Sequence, residues 1–169
     1  MKLLRTLRDS DIGSNALIPV SYPERSASRG VVIDTQGKVA LLNVTKKGYH
    51  KLPGGGLELG EDAETAFRRE VLEEIGCEVT NIRELGMMEE YRNKIALHHL
   101  SYCFTADVEG EKGQPSFVGD EITDGFEPEW CDLKTAIEAL ESEKDVEDYE
   151  GKFIRLRDLT ILKEAQKNA

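Results

Sequence analysis

No run of apolar residues approaches the roughly 20 that a membrane-spanning helix needs, which excludes a simple helical membrane protein. The N-terminal stretch from Met1 to Asp9 carries basic residues but neither an apolar segment nor a small-residue cleavage site. A secretory leader is therefore not expected, and the cytoplasm is the expected location. Cysteine is scarce: Cys77, Cys103 and Cys131 are odd in number and widely spaced, which fits neither a disulfide framework nor a zinc pair. They read as small buried hydrophobes in a reducing compartment. Basic residues are outnumbered, 22 Lys and Arg against 33 Asp and Glu, for a formal net charge of −11. Such a surface repels polyanions, so duplex nucleic acid is not an expected partner. A small phosphorylated ligand stays open, because a bound divalent cation reverses the local field. Internal repeats, low-complexity tracts and long linkers are also lacking.

What is present suits one globular domain: 169 residues, of which 39% are hydrophobic and 33% charged. Residues 1–24 carry few pattern signals, and Ser14-Asn15 and Pro19 to Pro23 read as loop or irregular extension. Gly30 to Ile33 and Lys38 to Val44 read as strands joined by a turn at Asp34-Thr35-Gln36-Gly37. His50 to Gly56 reads as a loop, since three glycines after a proline suit neither helix nor strand. A helix is expected over 62–75, then β segments at Glu84 to Tyr91 and Ile95 to Val108. His98-His99 falls in the second of these, where neighbours point to opposite faces rather than to one metal. Glu109 to Gly125 is a long polar connection of the kind that often carries function. Glu129 to Cys131 reads as a short strand, Asp132 as the N-cap of a helix, and about Lys152 to Lys167 as a last helix. This order predicts an α/β (α+β) domain with helices packed on a mixed sheet.

The chemistry concentrates between Gly54 and Cys77. With about 100° per residue and Glu70 at zero, Glu73 falls near 300° and Glu74 near 40°, so the three carboxylates share one helix face. Phe67, Val71, Ile75 and Leu72 form the adjacent apolar face. Like charges at these spacings cost a helix about 0.2–0.5 kcal/mol per pair, so a compensating cation is expected. A hard divalent ion with a preference for oxygen fits the carboxylates; a solvated acidic face is the alternative reading of the wheel alone.

Spacing adds what the wheel does not. Gly55, Glu61 six residues on, Arg69-Glu70 eight beyond that, then Glu73-Glu74 and Gly76 resemble the Nudix box. Only its final aliphatic position departs, where Cys77 stands. The resemblance implies a Nudix-type α/β/α sandwich with a mixed β-sheet. It divides the chain into an N-terminal extension (1–24), a Nudix hydrolase domain (25–145) and a C-terminal helix packed on the same domain (146–169). It implies Mg²⁺, with Mn²⁺ able to substitute, held by Glu70, Glu73, Glu74 and the carbonyl of Gly54. Arg69 resembles the arginine that orients the helix glutamates, its planar fork suiting a carboxylate. Glu61 resembles the box glutamate that braces the loop–helix junction. Glu121 is the preferred candidate for base or extra ligand among Asp120, Glu121, Asp124, Glu127 and Glu129 of the long loop. Arg29 is a candidate substrate-phosphate contact, against the plainer reading of a surface arginine.

The activity so implied is Mg²⁺-dependent hydrolysis of a diphosphate bond in a nucleoside diphosphate linked to another moiety. Oxidised nucleoside triphosphates, ADP-ribose, dinucleoside polyphosphates and nucleotide sugars are the substrate classes to test, with the oxidised triphosphates in front. A non-catalytic nucleotide-binding or regulatory module is the first alternative. A prenyl-diphosphate-type isomerase is the second, and it would need a nucleophilic cysteine in an activating setting, which Cys103 lacks in the sequence. The implied partner is a small nucleotide; a homodimer is common in the family, although no feature of this sequence demands one.

Overall fold

Val31, Val32, Val39, Ala40, Leu41 and Leu42 are each no more than 1% exposed, because the strands they build lie inside a sheet covered on both faces. A computed structural model describes residues 1–168 of the chain. The strands are β1 (Leu3–Arg8), β2 (Glu24–Ile33), β3 (Lys38–Val44), β4 (Tyr49–Lys51), β5 (Gly54–Gly56), β6 (Glu78–Arg92), β7 (Leu97–Glu109) and β8 (Phe126–Asp132). The helices among the described residues are α1 (Ala63–Ile75), α2 (Asp120–Thr123), α3 (Leu133–Ser142) and α4 (Tyr149–Lys167). The strands form one eight-stranded sheet in the order β1-β6-β7-β2-β3-β4, with β5 added to β2 and β8 to β3. The β1–β6 and β2–β7 pairs are parallel and the others antiparallel, so the sheet is mixed.

On one face, α1 buries Phe67, Val71 and Ile75 against Val32, Ala40, Leu42, Phe104 and Ala106. On the other, α3 and α4 bury Ala136, Leu140, Phe153, Ile161 and Leu162 against Leu7, Val31, Val39 and Leu41. Consecutive strand residues thus feed opposite cores, and the result is the expected α/β/α sandwich. The β2–β3 turn is held by Asp34, whose Oδ1 accepts the Gln36 and Lys38 N–H groups at 2.9 and 2.8 Å. Beyond it β2 and β3 pair directly only at Ile33 and Val39. They then part, β3 pairing with β4 and β2 with β5. Leu52-Pro53 bridges this opening, and the functional segment begins there.

Several local expectations are revised by long-range pairing. Residues 3–8, read as part of an irregular extension, form β1, and Leu7 is fully buried. The partner of β1 is β6, far along the chain, so nothing local marks it. The segment from His50 to Gly56, read as a loop, carries the end of β4 and all of β5; the glycines of β5 are held by pairing with Ala27–Arg29. Asp132 does stand at the N-cap of α3, but its side chain pairs with Lys38 at 2.9 Å rather than with a helix N–H. α4 starts earlier than expected, at Tyr149, capped by Asp148 through the Gly151 N–H at 2.6 Å.

α4 also carries buried charge. Arg157 donates to Asp158 at 2.6 Å and lies 3.6 Å from Glu90 of β6, which also pairs with Arg92 and His99. Burial alone would raise the Glu90 carboxyl, but the Arg157 and Arg92 guanidinium groups outweigh it and hold Glu90 well below the usual range. Asp158 also accepts the Leu52 N–H at 2.8 Å, which ties α4 to the opening between β2 and β3. No helix among the described residues is long and apolar enough to cross a membrane.

Candidate functional site

α1 starts where Asp62 accepts the Thr65 N–H at 2.8 Å and ends where Gly76 takes the left-handed conformation, with its N–H on Leu72 O. Its apolar stripe fixes its rotation on the sheet, and that rotation turns Glu70 and Glu74 toward β5. The carboxylate of Glu70 lies against Gly55, where an added Cβ would stand 2.4–2.5 Å from the carboxyl atoms. Glu74 is 1% exposed; its Oε2 accepts the Gly54 N–H at 2.6 Å and its Oε1 the Lys51 ammonium at 2.8 Å.

The connection after β7 brings in another carboxylate. The Gly113 N–H donates to Gly76 O at 2.8 Å and the Ser116 N–H to Glu73 O at 2.7 Å, so this segment docks on the C-terminal end of α1. Gly76 has no room for a side chain, since Gly113 and Gln114 backbone atoms would lie 2.6–2.7 Å from a Cβ. α2 follows and presents Glu121, whose Oε2 is held by the Val118 N–H at 2.8 Å. One carboxylate oxygen each from Glu70, Glu74 and Glu121 then lies within 4.8 Å of the others.

Arg69 braces the same helix. Its Nε and Nη2 meet the two oxygens of Glu61, both at 3.0 Å, while Nη2 also reaches Gly56 O at 2.9 Å. Its Nη1 donates to Glu70 at 2.7 Å and to Glu73 at 3.2 Å. Glu61 raises the Arg69 guanidinium above its ordinary value, and in return the Arg69 fork lowers Glu61. Burial lifts Glu70 and Glu74 above the usual carboxylate range; Arg69 opposes this at Glu70, and Lys51 at Glu74. The carboxylates of Glu70, Glu73, Glu74 and Glu121 outweigh Lys51 and an Arg69 already engaged by Glu61. Hard oxygen donors with excess negative charge are what Mg²⁺ or Mn²⁺ requires, so the residues fit such an ion.

The structure brings together most of the residues singled out in the sequence. Glu73 stands apart from the tight trio, its side chain 43% exposed and held by Arg69. Arg29 faces the other side of the sheet: it is 4% exposed, donates to Ser101 Oγ at 3.2 Å, and burial lowers its guanidinium to about 10. Of the other acidic residues in the long loop and β8, Asp124 pairs with Lys47, and Glu129 with His50 and Asn43. Cys103 is fully buried and its thiol is pushed up to about 12 by burial, the reverse of an activated nucleophile. Cys77, at the departing box position, is fully buried in the α1-side core, where a small apolar group suffices. Sequence reasoning missed Lys51; its only signal was a lysine set between β-forming residues just ahead of the glycines.

A mixed-sheet sandwich whose one-sided helix aims carboxylates at a glycine turn defines a scaffold for handling a cation and its anionic ligand. Residues 23–156 match the NUDIX domain, and the chain belongs to the Nudix family. It is 37% identical over 71 residues to a MutT-like protein of Streptomyces ambofaciens, a match covering 37% of this chain and 46% of that relative. The chain therefore spans less than half the length of that relative. A crystal structure of a MutT mutator protein from Bacillus halodurans is similar at TM-score 0.55 and 27% identity, over 68% of this chain and 72% of that one. A Nudix hydrolase from Nitrosomonas europaea shares the fold at TM-score 0.65 and 16% identity, over 86% and 90% of the two chains.

Proposed function

We propose that this protein hydrolyses a diphosphate bond in a nucleoside diphosphate linked to another moiety, with Mg²⁺ or Mn²⁺ as its cofactor. The observation that carries this reading is the convergence of Glu70, Glu74 and Glu121 within 4.8 Å beside the Gly54-Gly55 turn. Glu70, Glu74 and the Gly54 carbonyl, with Glu73 at the rim, would hold the ion. When bound, a divalent cation supplies Lewis-acid neutralisation of the phosphate oxygens.

The protein's own part is positioning. Water attacks one phosphorus in line with the bond to the bridging oxygen, and the other phosphate leaves with that oxygen. Glu121 takes the proton of the attacking water or serves as an additional oxygen ligand. Its carboxylate is oriented by the Val118 N–H, and it reaches the cluster from a separate element. Arg69 and Glu61 act through others: they hold Glu70 and Glu73 in place rather than touching substrate.

A second reading, a nucleotide-binding module without catalysis, draws on Lys51, which already neutralises one carboxylate of the box. The test is to incubate the protein with Mg²⁺ or Mn²⁺ and oxidised nucleoside triphosphates, ADP-ribose, dinucleoside polyphosphates and nucleotide sugars, with Glu73→Gln and Glu74→Gln alongside. Metal-dependent product release, falling about 10²-fold or more in the variants, is the expected outcome. Binding of one of these compounds without turnover would replace hydrolysis by the second reading.

A further inference from the structure

Lys51 stands where a cation would. Its ammonium lies 2.8 Å from Glu74 Oε1 and 3.3 Å from the Gly54 carbonyl oxygen, two groups already given to the metal ion. The backbone dictates this placement. Lys51 pairs with Leu42 across the β3–β4 ladder, and Leu42 belongs to the α1-side core. Its neighbour Leu52 points the opposite way, into the α3/α4 core. The lysine stem is enclosed, 11% exposed, and the ammonium lies 4.7 Å from the centre of the Phe126 ring. Phe126 opens β8, directly after the turn that follows α2, so the lysine is clamped between β4 and the segment that presents Glu121.

The cluster therefore has two faces. Toward Gly54, Glu74 is engaged by an ammonium and a backbone N–H. Glu70 and Glu121 each bring a carboxylate oxygen within 4.8 Å of one from Glu74; Glu70 pairs with Arg69, and among the described residues neither pairs with Lys51. An ammonium and a divalent ion sharing both Glu74 Oε1 and Gly54 O would repel at contact distance, so one position cannot hold both.

We propose that the Lys51 ammonium is a built-in cation filling one position of the acidic cluster, so that the protein takes one divalent ion fewer than its carboxylates alone would hold. This rests on the metal-dependent reading above. It leaves the Glu70–Glu74–Glu121 side for the exchangeable ion and revises the ligand set given above, because the Gly54 carbonyl then serves the lysine and not a metal.

The test counts ions directly, without substrate. Mn²⁺ is titrated into the unmodified protein, Lys51→Met and Lys51→Arg, with stoichiometry read by electron paramagnetic resonance of free Mn²⁺ and by calorimetry. Lys51→Met should bind one Mn²⁺ more than the unmodified protein, and Lys51→Arg, which keeps the charge, should not. Equal stoichiometry in Lys51→Met and the unmodified protein overturns the proposal, even if affinity tightens, because lost repulsion alone would tighten a single site. Should Lys51→Met fail to fold, anomalous scattering from Mn²⁺-soaked crystals of the unmodified protein decides. An ion bound to both Gly54 O and Glu74 with the lysine displaced overturns the proposal; an ion on the Glu70–Glu121 side with Lys51 in place upholds it. Absence of Mn²⁺ binding in every variant would bring down the metal-dependent reading as well, an outcome distinct from equal, non-zero stoichiometry.

Discussion

Arg69 divides its donors among Glu61, Glu70, Glu73 and the Gly56 carbonyl, a set that only a planar fork can serve together. Lysine in its place keeps the charge but not the geometry. Arg69→Lys should lose about 1–2 kcal/mol in urea unfolding, the lower part of the range for charged hydrogen bonds because the group is partly exposed. Its Mn²⁺ affinity should fall about tenfold or more by calorimetry, since Glu70 loses its orienting partner. A second residue-scale effect lies far from the site. Burial lowers His99 to about 4 despite its bond to Glu90, while in the unfolded chain it titrates near 6.5. Between about pH 6.5 and 4 the unfolded chain takes up a proton that the native state does not, so His99 makes stability fall as pH falls through that window. His50, raised chiefly by Glu143, contributes with the opposite sign: its stabilisation is present at low pH and lost as pH rises through its folded value. His99→Asn, whose amide N–H can replace the ring donor to Glu90, isolates the first effect. Relative to the unmodified protein it should gain about 1–3 kcal/mol between pH 7 and 4.5 in urea titrations; a constant difference would exclude the effect. The box pattern was legible in the sequence because its spacing lies on one helix and its approach, although the structure leaves Glu73 outside the trio that Glu70 and Glu74 form with Glu121. Lys51 and His99 were not legible, because their surroundings depend on strand register and on which helix covers the sheet.

At the scale of elements, the segment from Gly110 to Gly119 is a bracket rather than a free loop. Its Gly113 and Ser116 N–H groups end on carbonyls at the C-terminal end of α1, and that docking lets α2 bring Glu121 to the cluster. Gly76 makes it possible twice over, by its left-handed backbone at φ 66° and by leaving room for the Gly113–Gln114 backbone. Gly76→Ala should therefore release the segment in addition to the roughly 1–2 kcal/mol that a left-handed alanine costs. Native-state hydrogen exchange should show the Gly113 and Ser116 amides losing protection by more than the global stability change. Equal losses at all amides would mean that docking is independent of Gly76. α1, α3 and α4 were legible from periodicity, α1 to within a residue of its bounds, whereas the short α2 was read as part of the polar connection. β1, β4 and β5 were not legible: the partner of β1 is remote, β5 is all glycine and pairs with the Ala27–Arg29 part of β2, and β4 is too short to carry a pattern of its own.

At the scale of the whole molecule, the sandwich places its two kinds of buried polar chemistry on opposite sides of one sheet. The acidic cluster sits on the α1 side, and the Glu90–Arg92–Arg157–Asp158 network on the α4 side, joined to it through the Asp158 bond to Leu52. The overall architecture was legible from the order of strands and helices. The charged layer beneath α4 was not, since each of its members alone reads as an ordinary exposed or alternating residue. The mixed sheet also bears on time. The parallel β2–β7 pair joins Glu24–Ile33 to His98–Asp107, and only on that frame does β5 pair with β2 and set the Gly54-Gly55 turn against Glu70. Closing so long a loop is the slow part of reaching the native state. We expect the carboxylates to converge after the rate-limiting barrier; a bound Mn²⁺ should then leave the refolding rate in stopped-flow experiments nearly unchanged and slow unfolding by nearly the whole factor by which it stabilises the protein. The ion would then act as a latch on a finished fold, lengthening the lifetime of the native state without hastening its arrival.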